Sequence, residues 1–198
     1  TPDPITGAAD KTCTAATTPC TIEYLNGTAL SLAASATDDW TFTGWSGGTC
    51  SGDTSPCTLT ITGDVNVTAT FKREWNLAIT VVGDGSVGIT APITTTPTSC
   101  TAATTPCDVE YLNGTSVTLT PSPTSDWSFV DFSGTNIGAC DTATAACSFT
   151  ITNDASVTAT FKREWNLAIT VVGQGSVGIT APITTTPTSC TAATTPCD

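Results

Sequence analysis

The sequence predicts an all-β chain of tandem, small, antiparallel β-sandwich-like units of 85–90 residues, stapled by local disulfides. Three observations carry that expectation. Threonine makes up roughly a quarter of the 198 residues, while charged residues are only 11%; threonine is branched at Cβ and favours extended backbone. The segment "FKREWNLAITVVG" stands at 71–83 and again, unchanged, at 161–173. Ten cysteines fall into five pairs, each with six residues between the partners.

The repeat sets the organisation. The verbatim segments start 90 residues apart, and "CTAATTPC" recurs at 13–20, 100–107 and 190–197, at intervals of 87 and 90. The three-residue difference falls in the loop between "WSGGTC" (45–50) and "FSGTNIGAC" (132–140). Periodicity of this length means one supersecondary unit copied along the chain. Each unit is expected to open at the Trp of "EWNLAIT" and close at the Phe of "TATFKRE". Residues 1–74 then form a unit lacking its first two strands, 75–164 a complete unit, and 165–198 the opening strands of a further one. Phe71, Trp75, Phe161 and Trp165 flank junctions of only three residues, Lys-Arg-Glu, so successive units are expected to hold a fixed relation. The chain opens without Met or a leader-like segment, as expected of a mature or excised piece.

Within a unit every segment shows strand character. "NLAITVV" (76–82) precedes "GDG", with "SVGIT" (86–90) as the return strand. Asn113-Gly114 in "VEYLNGTSVTL" is a short hairpin signal between two strand-like runs. "WSFVDF", "CSFTIT" and "SVTATF" supply three more strands; in the last, Val157, Ala159 and Phe161 share one face. No segment sustains a helical period. Seven or so short strands at these intervals suggest a sandwich or small antiparallel fold.

The cysteine pairs are Cys13/Cys20, Cys50/Cys57, Cys100/Cys107, Cys140/Cys147 and Cys190/Cys197. Structural zinc sites prefer two to four intervening residues and often use His, which is absent here. A redox motif normally has two intervening residues. Local disulfides in an oxidising compartment fit the even count and the low-charge, Thr-rich chain better than free or metal-bound thiols. Each loop of about eight residues contributes roughly 2.5 kcal/mol in the simplest chain-entropy model and is expected to pin the end of a hairpin.

Trp40, Phe42 and Trp45 correspond to Trp127, Phe129 and Phe132. Such aromatics near loops could stack on sugar rings; Trp40 and Phe42, on one strand face, are better read as core, and Trp75 and Trp165 as anchors between units. Sequons start at Asn26, Asn66 and Asn113 and are candidate glycosylation sites, although Asn-Gly at 26–27 and 113–114 also suits a tight turn. The stretch "TTTPTS" (94–99) is a candidate O-glycan region or a solvated loop.

The ordered pattern "G(D/Q)GSVGIT", two paired cysteines, "YLNGT", "W(T/S)F", "(W/F)SG", two further cysteines and a closing "VTATF" resembles the divergent internalin-type B-repeat of bacterial cell-surface proteins. "FTGWSG" at 42–47 with the closing "VTATF" is its most telling part, and "FVDFSG" at 129–134 departs from it. The resemblance implies an extracellular, tandem, β-rich module used as a stalk, spacer or adhesive segment, with a β-grasp-like topology known among relatives. The helix such a topology needs is not evident in this sequence.

Net charge −12 and five scattered cations exclude a nucleic-acid partner and an anionic membrane surface. No apolar run approaches the roughly 20 residues of a membrane helix, so no membrane insertion is expected. Asp38, Asp39, Asp126 and Asp131 lie near loops, but without the alternating spacing of a calcium loop they are read as solvated carboxylates. No metal or cofactor is expected. With no His, no GxSxG and no phosphate-cradling GxxxxGK, an enzyme is not expected either. The expected function is a rigid extracellular stalk, fibre or filament whose partner is itself. Residues 165–198 would complete the open first unit of a neighbour by strand addition. The alternative is an adhesive module that binds cell-surface glycans through loop aromatics.

Overall fold

The computed structural model describes residues 11–92 and 97–180 and the backbone of 189–191. Its strands, in chain order, are β1 (Ala29–Leu32), β2 (Trp40–Ser46), β3 (Cys57–Thr60), β4 (Thr68–Val82), β5 (Gly85–Thr90), β6 (Ser99–Thr101) and β7 (Cys107–Leu112). There follow β8 (Ser116–Pro123), β9 (Trp127–Thr135), β10 (Cys147–Thr150), β11 (Ala155–Arg163), β12 (Ser176–Gly178) and β13 (Ser189–Thr191). Three single-turn 3-10 helices join them, and no α-helix occurs among the described residues.

Two sheets form a large sandwich. One has the order β7-β4-β11-β9, and the other β10-β8-β5-β6. Their inner faces share one apolar cluster, which includes Leu77, Ile79 and Val81 of β4, Val157, Ala159 and Phe161 of β11, and Val117 and Leu119 of β8. Alternation places these side chains inward and leaves the intervening, largely threonine and serine positions outward. Each aliphatic side chain so buried contributes about 2 kcal/mol. A smaller module precedes it: β1 pairs β3, β2 pairs the first half of β4, and Leu30, Cys50 and Leu59 form a separate small core.

The all-β, disulfide-stapled, sandwich-like expectation holds, but the pairing differs from a series of hairpins. The chain alternates between layers, from β4 to β5 across the sandwich, back from β6 to β7, and across again at each step to β11. "SVGIT" therefore does not return along "NLAITVV"; β5 pairs β6 and β8. The reason is that both edges of the second half of β4 are occupied, by β7 and β11. The Asn113-Gly114 turn likewise joins two sheets instead of closing a hairpin: its Asn113 N–H donates to Arg73 O and its Gly114 N–H to Ile151 O, both at 2.7 Å.

One pair, β4–β11, is parallel. These are the strands on either side of the repeat, and each runs on in the same direction, so side by side they must be parallel. Crossovers through the second sheet make this possible. With the parallel pair central and flanked by β7 and β9, the sheet has β-grasp order, and the second sheet takes the place of the grasp's helix.

Glycine is needed at three places where backbones meet. Gly83, at φ +91°, turns the chain out of β4 where a Cβ would lie 2.3 Å from Phe161 O. Gly134 lies so close to β11 that a Cβ would stand 1.9 Å from Ser156 O, and Gly47 repeats the arrangement, 2.2 Å from Asn66 O. This is the physical content of the "SG" in both copies of the motif. Gly134→Ala is expected to destabilise the large sandwich by about 3 kcal/mol in urea denaturation. Gly88→Ala, whose Cβ would meet Thr120 only at 3.7 Å, should change it by less than about 1 kcal/mol.

Candidate functional site

The candidate site is the junction on β4, together with its half-built counterpart after β11. β4 is 15 residues long and hands over from β2 to β7 between Arg73 and Glu74, without an unpaired residue. The tripeptide Lys72-Arg73-Glu74, which the sequence suggests as a connector, is itself strand. Arg73 lies over the Trp75 ring at 4.1 Å, and Trp75 Nε1–H donates to Asn113 Oδ1 at 3.0 Å. Glu74 N–H donates to Asp39 O at 2.7 Å, and Thr41 Oγ1–H donates to Glu74 Oε1 at 2.7 Å. Asn76 N–H donates to Asp154 Oδ1 at 2.9 Å. Further along, Thr105 Oγ1 accepts from Val81 N–H and donates to Ile79 O, extending the ladder past the end of β7.

After β11 only one side of this arrangement is present. Arg163 lies over Trp165 at 4.1 Å, Glu164 N–H donates to Asp126 O at 2.6 Å, and Ser128 Oγ–H donates to Glu164 Oε1. Beyond that, 164–175 contain no strand, only an isolated bridge residue at Ile169. Trp165 is 77% exposed and Leu167 69%, whereas the identical Leu77 is 0% exposed. Strands β12 and β13 then pair with each other in the register of β5 and β6.

The small module shows the complementary shortage. Among the described residues no strand lies along Thr68–Arg73 on the edge opposite β2, and 20–25, the counterpart of β7, is not a strand. Tyr24, Ile61, Val67 and Phe71 are half-buried, whereas Tyr111, Ile151, Val157 and Phe161 are buried. Cys13 and Cys20 are exposed where Cys100 and Cys107 are buried. The loop between them nevertheless has the same form in both places. Each contains a 3-10 turn, with Thr14 N–H bonded to Thr17 Oγ1 and Thr101 N–H to Thr104 Oγ1, both at 2.9 Å.

Among the described residues there are four disulfides, Cys13–Cys20, Cys50–Cys57, Cys100–Cys107 and Cys140–Cys147, with Cα separations of 5.4–6.0 Å. The Cys190–Cys197 pairing lies outside the described residues. Cys100–Cys107 ties β6 to β7 and so fastens one sheet to the other, a corner and not a hairpin end. Asn26, Asn66 and Asn113 are all exposed. Trp45 is half-buried against Phe42, ring centroids 5.1 Å apart, and its Nε1 is buried without an acceptor; its counterpart Phe132 is fully buried. Trp127 and Phe129 pack on the large core, while Trp40 is 44% exposed. Of the "TTTPTS" stretch, residues 94–96 lie outside the described residues. Among the described residues no cluster of three carboxylates or thiols is placed to hold a metal ion, and no helix is long and apolar enough to cross a membrane.

Sequence reasoning missed the acceptors Asn113 and Asp154 and the ladder-extending Thr105. A signal existed, because Asn26, Asp64 and Thr18 stand at the corresponding positions. Polar residues retained in both copies outside the turn glycines mark groups that bond to a distant strand. Replacing Cys100 and Cys107 by alanine is expected to lower the stability of the large sandwich by about 3 kcal/mol in urea denaturation. The same change at Cys13 and Cys20 should leave that sandwich unaffected.

A family model described as a divergent InlB B-repeat domain matches residues 5–74 and 91–164. No curated protein and no solved structure matches the chain. The matched segments end at the closing strand of each repeat, at residues 74 and 164, and together cover well over half of the sequence. The chain therefore belongs to the divergent InlB B-repeat domain family.

Proposed function

We propose that this is a structural, extracellular repeat protein, a stiff stalk or fibre element and not a catalyst. Its units are 1–74, 75–164 and the opening of another at 165–198, and each unit takes its first strand in continuity with the last strand of the unit before. The observation that carries this reading is one sequence in two settings. Residues 71–82 are strand, paired on both edges from Leu77 to Ile79, while the identical 161–172 leave the sheet after Arg163 with Trp165 and Leu167 exposed. Membership of a repeat family supports an architectural role. Four disulfides support an oxidising, extracytoplasmic setting. A junction that is itself a paired strand supports stiffness.

In finer detail, residues 165–198 of one copy complete the open module of a second, giving a head-to-tail polymer. Carrying the β4–β11 register over by one repeat sets Leu167 beside Val65, Ile169 beside Val67 and Val171 beside Ala69. The β12–β13 hairpin then extends β1 as β5 extends β8. Such a contact joins unlike surfaces and does not close on itself, so it grows as a filament. Glycan stacking on loop aromatics is the other partner chemistry, and the half-buried placement of Trp45 against Phe42 supports packing instead.

Light scattering and negative-stain electron microscopy of the purified chain test this. Filaments are expected, and Leu167→Asp, a change at an exposed side chain, should abolish them while leaving the unfolding midpoint of the large sandwich unchanged. Monomers across a hundredfold range of concentration, or filaments undiminished by Leu167→Asp, would overturn the polymer. An intact mass many times that of 198 residues would assign the same contacts to neighbouring repeats of one chain.

A further inference from the structure

Resting on the strand-addition reading above, we propose that Asn26 and Asp64 fix the register of the incoming strand. They do so by accepting hydrogen bonds from the Trp165 indole and the Asn166 backbone N–H of a second copy of this chain. The finished junction is the template. There Trp75 Nε1–H meets Asn113 Oδ1 at 3.0 Å, and the next residue, Asn76, gives its N–H to Asp154 Oδ1 at 2.9 Å. The two acceptors come from different turns, so together they define one position along the strand.

The open module already holds the Asn26 turn in place. Gly27 N–H donates to Ile61 O at 2.7 Å and Thr28 N–H to Leu25 O at 3.1 Å, matching Gly114 to Ile151 at 2.7 Å and Thr115 to Leu112 at 3.0 Å. The Asn26 turn therefore keeps its shape although, among the described residues, no strand stands where β4 stands beside Asn113, and both Asn26 and Asp64 are exposed. The donor is set as well, because Arg163 lies over Trp165 at the same 4.1 Å as Arg73 over Trp75. Both sides are thus organised before they meet, which lowers the ordering cost of association.

A register device is needed because the apolar pattern cannot supply one. Leu167, Ile169 and Val171 alternate with smaller or outward residues, so a slip of two positions still presents aliphatic side chains to the core. Such a slip carries the Trp165 indole and the Asn166 N–H about 7 Å from their acceptors. The polar pair at the head of the strand therefore penalises the error that the hydrophobic face tolerates.

A labelled peptide of residues 161–180, titrated into the full chain carrying Leu167→Asp to prevent self-assembly, tests the assignment by fluorescence anisotropy. One peptide should bind per chain. Trp165→Phe in the peptide, or Asn26→Ala in the chain, should each weaken binding about fivefold, and the two together no more than either alone. Asp64→Ala should weaken both peptides alike, by a similar factor. Because Trp165→Phe alters only the peptide, its effect cannot come from a misfolded acceptor. Wild-type peptide that binds with no loss on either change, or losses that multiply, would overturn the register role alone. Failure of the wild-type peptide to bind would overturn the strand-addition reading with it.

Discussion

The structure depends on the hydrogen-bonded ladder along β4. A strand of 15 residues spans about 50 Å, and this one is paired along its whole length, first to β2 and then to β7 and β11. Its second half carries Leu77, Ile79 and Val81 into the centre of the large core. Three aliphatic side chains buried this completely contribute about 6 kcal/mol, comparable to the whole net stability of many domains. The large sandwich is therefore closed because this strand is present, and the small module is half-exposed along the edge where no equivalent strand is described.

The remaining devices serve that strand. Cys100–Cys107 fastens β6 to β7, so one flank of β4 cannot swing away from the opposite sheet. Gly134 lets β9 press against β11, and Gly83 lets the chain leave β4 beneath Phe161. The polar contacts gather at the changeover from β2 to β7, where Trp75, Glu74 and Asn76 each bond to a separate turn. The ion pair of Arg73 with Asp39, at 4.0 Å, is solvent-exposed at both ends and contributes little. Packing and hydrogen bonds, not charge, hold the junction.

Much of this was legible in the sequence, and the limits follow from distance along the chain. Strand positions, the cysteine pairs and the turns at Gly83 and Asn113-Gly114 depend on neighbours within a few residues, where alternation and spacing are direct signals. Partner choice does not. "SVGIT" is a convincing return strand for "NLAITVV" until β11, some 80 residues away, occupies the edge that it would use. Asn113 is a turn residue by its local setting, and it becomes an acceptor only because Trp75 arrives beside it. The parallel pairing of β4 with β11 belongs to the same class, since parallel partners are necessarily remote in sequence.

The 13-residue segment that occurs twice separates the two kinds of information. By itself the sequence determined what is common to both copies: alternating aliphatic side chains and a Trp covered by the Arg two residues before it. It equally determined the 3-10 loop of "CTAATTPC", which keeps its form whether exposed or buried, because its disulfide and its Thr–Thr bonds are internal. Only tertiary structure decided that 71–82 runs as strand while 161–172 stops after Arg163, and that Leu77 is buried while Leu167 is exposed. A strand carries its side-chain pattern with it, but its hydrogen bonds and its buried face must be supplied by other parts of the fold.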